Sequence, residues 1–369
     1  MKIIVIGAGV AGLSIGWRFA QAGAQVTVLE RAQPGRGATW ASAGMIAATA
    51  EIEDGDTPQA RLAHRAASLW PHFAREIEEA SGIDPGYRVD GTLIVARSPA
   101  EAALLERRAK GSAALEFLIP SAATALEPLL SADIAGALFD PDEAQADNRA
   151  LVPALGIAFE RAGGVVKINE PAVRFEIKNG RAAAVRTPFA LYRADAFLLA
   201  AGAWSSRIEG LPADAAPAVI PVKGEMIALS SKGDAIPKHM VWGNEVYLVP
   251  RHDRLLVGAT VTREGFDTRI TPAAAEWLYA RAMGLMPALA EWDFADHWGG
   301  LRPGSPDDLP LLGPSPLAGL FVASGQFRNG ILFAPAIAEA MRDIVLNGEP
   351  PQPAFDPRRF AKAAANTYL

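Results

Sequence analysis

The sequence predicts an α/β fold in which a parallel-sheet, dinucleotide-binding unit carries an inserted unit built on an antiparallel sheet. Three observations point to it. Residues 2–30 read strand, glycine turn, helix, strand and acid in register. The run Ala196-Phe197-Leu198-Leu199-Ala200-Ala201-Gly202-Ala203 is apolar throughout, as a parallel strand buried on both faces requires. Residues 217–262 carry consecutive strand patterns with no helical repeat between them.

Taken in order, Lys2-Ile3-Ile4-Val5-Ile6 is the first strand, and Gly7-Ala8-Gly9-Val10-Ala11-Gly12 fits G-x-G-x-x-G. Gly7 permits the tight turn, Gly9 lets the backbone approach a phosphate, and Gly12 lets the following helix pack on its strand. That helix runs on through Leu13, Ile15, Trp17 and Phe19, and its N-terminus offers free N–H groups to a pyrophosphate. A second strand, Gln25-Val26-Thr27-Val28-Leu29, ends at Glu30, where a carboxylate accepts ribose hydroxyls.

Residues 57–80 alternate at helical spacing, Leu62, Ala66, Leu69, Phe73 and Ile77 against Arg61, Arg65, Arg75, Glu76 and Glu79. Residues 91–96 read as a strand, 99–110 as a helix with Glu101 in its first turn, and 148–161 as a helix ended by Gly163-Gly164. Strands at 165–169 and 173–177 follow, the second leading into an Asn179-Gly180 hairpin turn. In the later block, strands are expected at 225–229, 246–250 and 255–261, then a helix at 272–284. Leu320-Phe321-Val322-Ala323 is the last strand, and a helix over 330–346 closes the fold. The nucleotide-binding domain is therefore expected to be discontinuous, over 1–80, 145–216 and 298–369, with the substrate domain over 81–144 and 217–297.

A chain of 369 residues that is 50% hydrophobic and 21% charged can bury a sizeable core in one large or two medium domains. A net charge of −6 argues against a nucleic-acid partner. No uninterrupted apolar stretch of about 18 residues occurs, so no membrane span is expected. Lys2 precedes an apolar run, but Gly7, Gly9, Gly12, Gly16 and Arg18 interrupt it, which speaks against a secretory leader and for a cytoplasmic protein. There is no cysteine, which removes disulfides, thiolate nucleophiles, iron–sulfur clusters and cysteine-ligated zinc together. His64, His72, His239, His252 and His297 lack metal-ligand spacing, so no metal is expected. A homo-oligomer is compatible with the sequence but not dictated by it.

Four further segments carry chemistry. The first, Arg36-Gly37-Ala38-Thr39-Trp40-Ala41-Ser42-Ala43-Gly44-Met45, has the small residues that let a backbone run close to a flat ring. The second places Tyr247 inside the strand Val246-Tyr247-Leu248-Val249-Pro250. In the third, Trp298-Gly299-Gly300-Leu301-Arg302-Pro303-Gly304-Ser305-Pro306-Asp307, an arginine between Gly-Gly and Pro-Gly is expected on a rigid turn. Its planar fork matches a carboxylate. The fourth runs from Ser324 through Gln326, Phe327, Arg328, Asn329, Gly330, Ile331 and Leu332 to Pro335, aiming a helix N-terminus at the nucleotide crevice.

Together with Gly258-Ala259-Thr260, these segments resemble the glycine oxidases of thiazole (thiamin) biosynthesis, within the D-amino acid oxidase family of FAD-dependent oxidoreductases. The resemblance runs over nearly the whole chain. It implies a Rossmann-like FAD-binding domain with non-covalent FAD, since no cysteine can tether a flavin. It implies FAD contacts from Gly7, Gly9, Val10, Ala11, Gly12, Glu30, Arg31, Ala38, Thr39, Ala43, Gly44 and Met45. Val173 would hold the adenine side through its backbone, and the turn Gln326, Phe327, Arg328, Asn329, Gly330, Ile331 and Leu332 would hold the ring. Arg302 would clamp the substrate carboxylate, Tyr247 would border it, and Arg328 would support substrate and turn.

Three positions depart from the family pattern: Gln326 and Glu245 where histidine is expected, and Val261 where a methionine would line the pocket. A carboxylate at 245 near the pocket mouth would then favour a different amine. The implied reaction is oxidative deamination of glycine and other small amino acids, sarcosine or small D-amino acids included, with dioxygen as acceptor and no side-chain base. The imine would be hydrolysed or passed to thiazole assembly. A dehydrogenase of the same frame that uses a quinone remains the alternative. A non-catalytic nucleotide sensor has no use for Arg302 and Arg328, and an NAD-linked dehydrogenase leaves residues 38–45 unexplained.

Overall fold

Period-two burial along the first strand explains how the chain layers itself. In a computed structural model describing residues 1–361 apart from 53–54, 232 and 234–235, Ile3 and Val5 point into one apolar core and Ile4 and Ile6 into another. The strand Lys2–Ile6 lies between Gln25–Leu29 and Ala196–Leu199, parallel to both. The sheet continues through Val165–Lys167 on one side and Leu320–Ser324 on the other, with Leu311–Pro314 added antiparallel at that edge. Helices Val10–Gln21, Pro58–Ser81, Asn148–Arg161 and Gly330–Arg342 cover the Ile3/Val5 face. A three-stranded antiparallel sheet (Arg174–Lys178, Arg181–Arg186, Leu191–Arg193) covers the other through Phe175, Ala182 and Val185.

Local sequence sets the helix ends. Thr57 caps Pro58–Ser81 by accepting from the Ala60 N–H, Pro58 suits the first turn, and Gly82 ends the helix at φ +72°. Asp147 caps Asn148–Arg161 through the N–H groups of Arg149 and Ala150.

The second layer is an eight-stranded sheet in the order Asp293–Gly304, Ile220–Ser230, Leu255–Gly258, Val246–Pro250, Met240–Gly243, Thr92–Ala96, Gly136–Asp140 and Glu116–Leu118. It is antiparallel except where Met240–Gly243 runs parallel to Thr92–Ala96. Here too alternation sorts the residues. Ile227, Leu229, Leu248 and Val257 pack under the helix Pro272–Leu285. Met226, Tyr247, Leu256 and Trp298 face the segment carrying Trp40, Ala43 and Met45. The functional cleft lies on that second face.

Several expectations shift. The strand after Asp195 ends at Leu199, and Gly202–Arg207 forms a 3-10 turn begun by Gly202 at φ +56°. The strand from Leu255 stops at Gly258, and the closing helix gives way after Arg342 to a π turn, Asp343–Asn347. The segment expected as a rigid turn around Arg302 is instead the strand Asp293–Gly304, with Arg302 opposite Val222. This is the edge of its sheet, where Pro303 leaves no interior ladder bond unmade. The domain boundary expected at 297/298 falls inside this strand, so a division by sheets runs to 304. The end of the last expected domain segment, 362–369, lies outside the described residues.

Candidate active site

Glycines shape the nucleotide end of the cleft. Gly7 sits at φ +104° where a Cβ would lie 2.5 Å from the Ala200 carbonyl oxygen, and a Cβ at Gly12 would lie 2.0 Å from that of Gly7. The helix Val10–Gln21 has no side-chain cap. Its Val10 N–H donates to Thr39 Oγ1 at 3.1 Å, tying the next segment to the helix N-terminus. The Glu30 carboxylate is fixed by the N–H groups of Ala8 (2.8 Å) and Ala32 (3.1 Å). Arg31 lies over the Trp204 ring at 3.6 Å, and both border the cleft.

The middle of the cleft is a strip of small residues pinned from outside. Asn148 Nδ2 donates to the carbonyls of Thr39 (2.8 Å) and Trp40 (3.0 Å), and Trp298 Nε1 donates to that of Ala41 (3.1 Å). Arg251 bridges the carbonyls of Ala43 and Ala146, and burial draws its pKa down to about 10. Gly44 at φ +76° allows the closest approach, since a Cβ there would meet the Ala146 oxygen at 2.1 Å.

Opposite the strip, the Phe327 N–H donates to the Pro303 carbonyl at 2.9 Å, with Phe327 at φ +49°. The turn thus delivers Gln326 and Asn329, both buried, to the cleft. Among the described residues, Gln326 Nε2 and Asn329 Oδ1 have no hydrogen-bond partner. Leaving such groups unpaired is costly, so their position calls for a ligand with polar atoms along its edge. Small-residue strip, unpaired amides and pyrophosphate turn together fit a flavin dinucleotide.

The far end of the cleft gathers charge. Arg302 is half-buried, and its Nη1 donates to the backbone carbonyls of Thr260 (3.1 Å) and Lys223 (3.4 Å). The rest of the fork faces the cleft beside the Tyr247 hydroxyl. Two glycines make room: a Cβ at Gly224 would lie 2.1 Å from Arg302 Nη1, and one at Gly258 would lie 2.3 Å from the Tyr247 ring. Arg328 pairs with Glu51, Nε to Oε2 3.1 Å, and its guanidinium lies 5.1 Å from the Trp242 ring centre. Burial lowers the Arg302 pKa and raises that of Tyr247. Burial also raises the Glu51 pKa, against the pull of Arg328 and Arg302.

The structure brings Gly7, Gly9, Val10, Ala11, Glu30, Arg31, Ala38, Thr39, Ala43, Gly44, Met45, Tyr247, Arg302, Gln326, Phe327, Arg328, Asn329, Gly330 and Ile331 to one cleft. Other expected positions are placed elsewhere. Gly12 packs helix against turn. Leu332 is in the helical core, where its carbonyl accepts from Trp70 Nε1 at 2.9 Å. Val173 uses its N–H and carbonyl to bond Arg186 and Glu209, and its neighbour Ala172 borders the cleft instead. Glu245 does not face the substrate end. With Asn244 it forms a positive-φ hairpin turn (φ +51° and +69°), and it pairs with Arg281 at 2.8 Å. Val261 lies past the end of its strand and is 53% exposed. Met226 occupies the cleft wall.

Sequence reasoning missed Glu51, Gly224, Met226 and Trp204. Only Trp204 left a signal, in the Gly202-Ala203-Trp204-Ser205 sequence that closes a buried parallel strand.

The family model of FAD dependent oxidoreductases (DAO) matches residues 2–344. The bifunctional protein ThiO/ThiG of Trichormus variabilis is 33% identical over 100% of this chain and 56% of its own length, so the chain spans about half of that relative. A glycine oxidase of Pseudomonas aeruginosa is 33% identical with 98% of each chain covered. The crystal structure of glycine oxidase from Geobacillus kaustophilus superposes with a TM-score of 0.90 at 31% identity, covering 96% of this chain and 98% of that one.

Proposed function

The chain belongs to the family of FAD-dependent oxidoreductases, and from that premise we propose that it oxidises glycine and other small amino acids with dioxygen as the acceptor. The balanced reaction takes amino acid, dioxygen and water to 2-oxo acid, ammonia and hydrogen peroxide. One observation carries the reading: a half-buried arginine, Arg302, is anchored by two backbone carbonyls, and the rest of its fork is turned beside Tyr247 into the end of a dinucleotide cleft.

When bound, FAD supplies the two-electron acceptor for the hydride on the substrate Cα. The protein's residues do the rest. Arg302 takes the substrate carboxylate in a bidentate pair and so fixes which face of Cα looks along the cleft. Tyr247, held at Gly258, offers its hydroxyl to the same carboxylate. Glu30, Arg31 and Trp204 would hold the adenosine side, the N-terminus of Val10–Gln21 the pyrophosphate, and Gln326 and Asn329 the ring edge. Oxidation needs the amine neutral. Hydrolysis of the imine gives glyoxylate from glycine, or the imine passes to thiazole assembly, a fate supported by the match to a ThiO/ThiG protein. Among the described residues no helix is long and apolar enough to cross a membrane, and a cytoplasmic location is part of the proposal.

An oxygen electrode tests the acceptor: glycine or sarcosine should drive oxygen uptake with equimolar peroxide. Flavin reduction by glycine without oxygen uptake would transfer the protein to the dehydrogenases.

A further inference from the structure

Among the described residues, the substrate end of the cleft holds two guanidinium groups and one carboxylate, from three separate parts of the chain. Arg302 comes from the edge strand Asp293–Gly304, Arg328 from the turn before the last helix, and Glu51 from the short helix Ala48–Glu51. Glu51 is 5% exposed at its side chain and pairs with Arg328 rather than with solvent. Its position is set from below. The Glu143 carboxylate accepts the N–H groups of Thr49 (2.6 Å) and Ala50 (3.0 Å), the Thr49 hydroxyl donates to Asp140 (2.7 Å), and Arg108 donates to the Thr49 carbonyl (2.9 Å). A backbone held this firmly points to a defined place for the Glu51 carboxylate.

With Glu51 ionised, Arg302, Arg328 and Glu51 sum to +1, which matches a substrate bearing one carboxylate and a neutral amine. Among the described residues a second anionic group would find Arg328 alone, whose Nε edge already faces Glu51 and whose ring-stacked face is taken by Trp242. We propose that Glu51 is a specificity-determining residue: by occupying Arg328 it confines the site to amines with a single carboxylate. Removing its charge turns Arg328 into a receptor for a second carboxylate. The inference deepens the proposed reading of Arg302 as the first carboxylate's anchor and rests on it.

The test uses the FAD-loaded protein and two ligand pairs that each differ by one carboxylate. Sarcosine and iminodiacetate are the oxidisable pair, compared by kcat/KM. Methoxyacetate and diglycolate are their unreactive ether counterparts, compared by Kd from perturbation of the flavin spectrum. In Glu51→Gln, and in Glu51→Ala should the amide disturb packing, the dicarboxylate-to-monocarboxylate ratio should rise about tenfold or more in both pairs, the scale of one charge-assisted contact. Glu51→Asp, which keeps the charge, should stay near the parental ratio. Arg328→Lys combined with Glu51→Gln should lose most of the gain, because an ammonium lacks the fork. Unchanged ratios in the charge-removing variants overturn the inference, as does a gain that survives Arg328→Lys intact. The proposed reaction fails separately: ether acids would perturb the flavin of the parent protein while neither glycine nor sarcosine reduced it.

Discussion

Replacing Gly224 with alanine should disable substrate binding through a residue that touches no substrate. Gly224 lies in the strand Ile220–Ser230, where the Arg302 guanidinium crosses it, so an added Cβ would stand 2.1 Å from Nη1 and 2.4 Å from Cζ and Nη2. Ordinary carbon contacts need about 3.5 Å, so the guanidinium must move by more than an ångström. It can, because it is the end of a flexible side chain, and the strand itself is not strained. The Nη1 bonds to the Lys223 and Thr260 carbonyls would break in the process. A 1 Å misplacement of a positioning group costs about 10²-fold, and kcat/KM for glycine should fall by that order. The assay is steady-state peroxide formation, with the flavin spectrum as the control for an intact cofactor site. Near-parental kcat/KM in a variant that keeps its flavin would refute the reasoning, since the clamp could not then depend on where Arg302 sits.

Arg302→Ala should lower kcat/KM for glycine by the loss of a buried bidentate charge pair, about 2–5 kcal/mol or roughly thirty-fold to several thousand-fold. Arg302→Lys should recover only part of it; near-parental kcat/KM in Arg302→Ala would reassign the clamp to Arg328. Glu30→Ala should weaken FAD binding by more than about tenfold, since contacts to a charged acceptor are worth about 1.5–3 kcal/mol. Turnover at saturating FAD should change little, and equal FAD affinity in the two proteins would show that Glu30 is not a ribose ligand. Glu143 gives a pH dependence of stability. Burial raises its pKa from 4.5 to about 7 in the folded protein, so its favourable contribution is complete below 4.5 and is lost as pH rises through about 7. The loss should be about 3 kcal/mol. Urea unfolding at pH 4 and 8 should show this drop in the parent and not in Glu143→Gln; the same drop in both would clear Glu143 of the effect.

Sequence made the nucleotide end legible because its parts are local. Strand, glycine turn, helix and acid follow one another within one βαβ unit, and Gly12 answers a backbone contact made by Gly7 within the same turn. The substrate end is assembled from distant parts, and there only side chains with unusual surroundings stood out. Arg302 was recognisable, but its Gly-Gly and Pro-Gly neighbours read as a turn, because nothing local shows that residues 220–230 lie alongside to make an edge strand. Glu245 misled through its closeness to Tyr247. A two-residue turn at Asn244 and Glu245 breaks the alternation that would have kept both on one face. Glu51 carries no local signal, since no motif or periodic pattern includes it. It gains meaning only when its segment folds over Arg328, held there by Glu143 and Asp140 from another part of the chain.

The central claim is that the cleft between the two sheets holds FAD and presents a small amino acid to it through Arg302. The visible spectrum of the purified protein, recorded before and after anaerobic addition of glycine, tests both halves in one cuvette. The expected result is a yellow protein whose flavin absorbance bleaches with glycine, far more slowly in Arg302→Ala, and whose FAD is released intact on denaturation, since the chain has no cysteine to tether it through sulfur and no histidine lines the cleft among the described residues. A colourless protein that takes up no FAD, or a flavin that glycine and sarcosine leave oxidised, would contradict it.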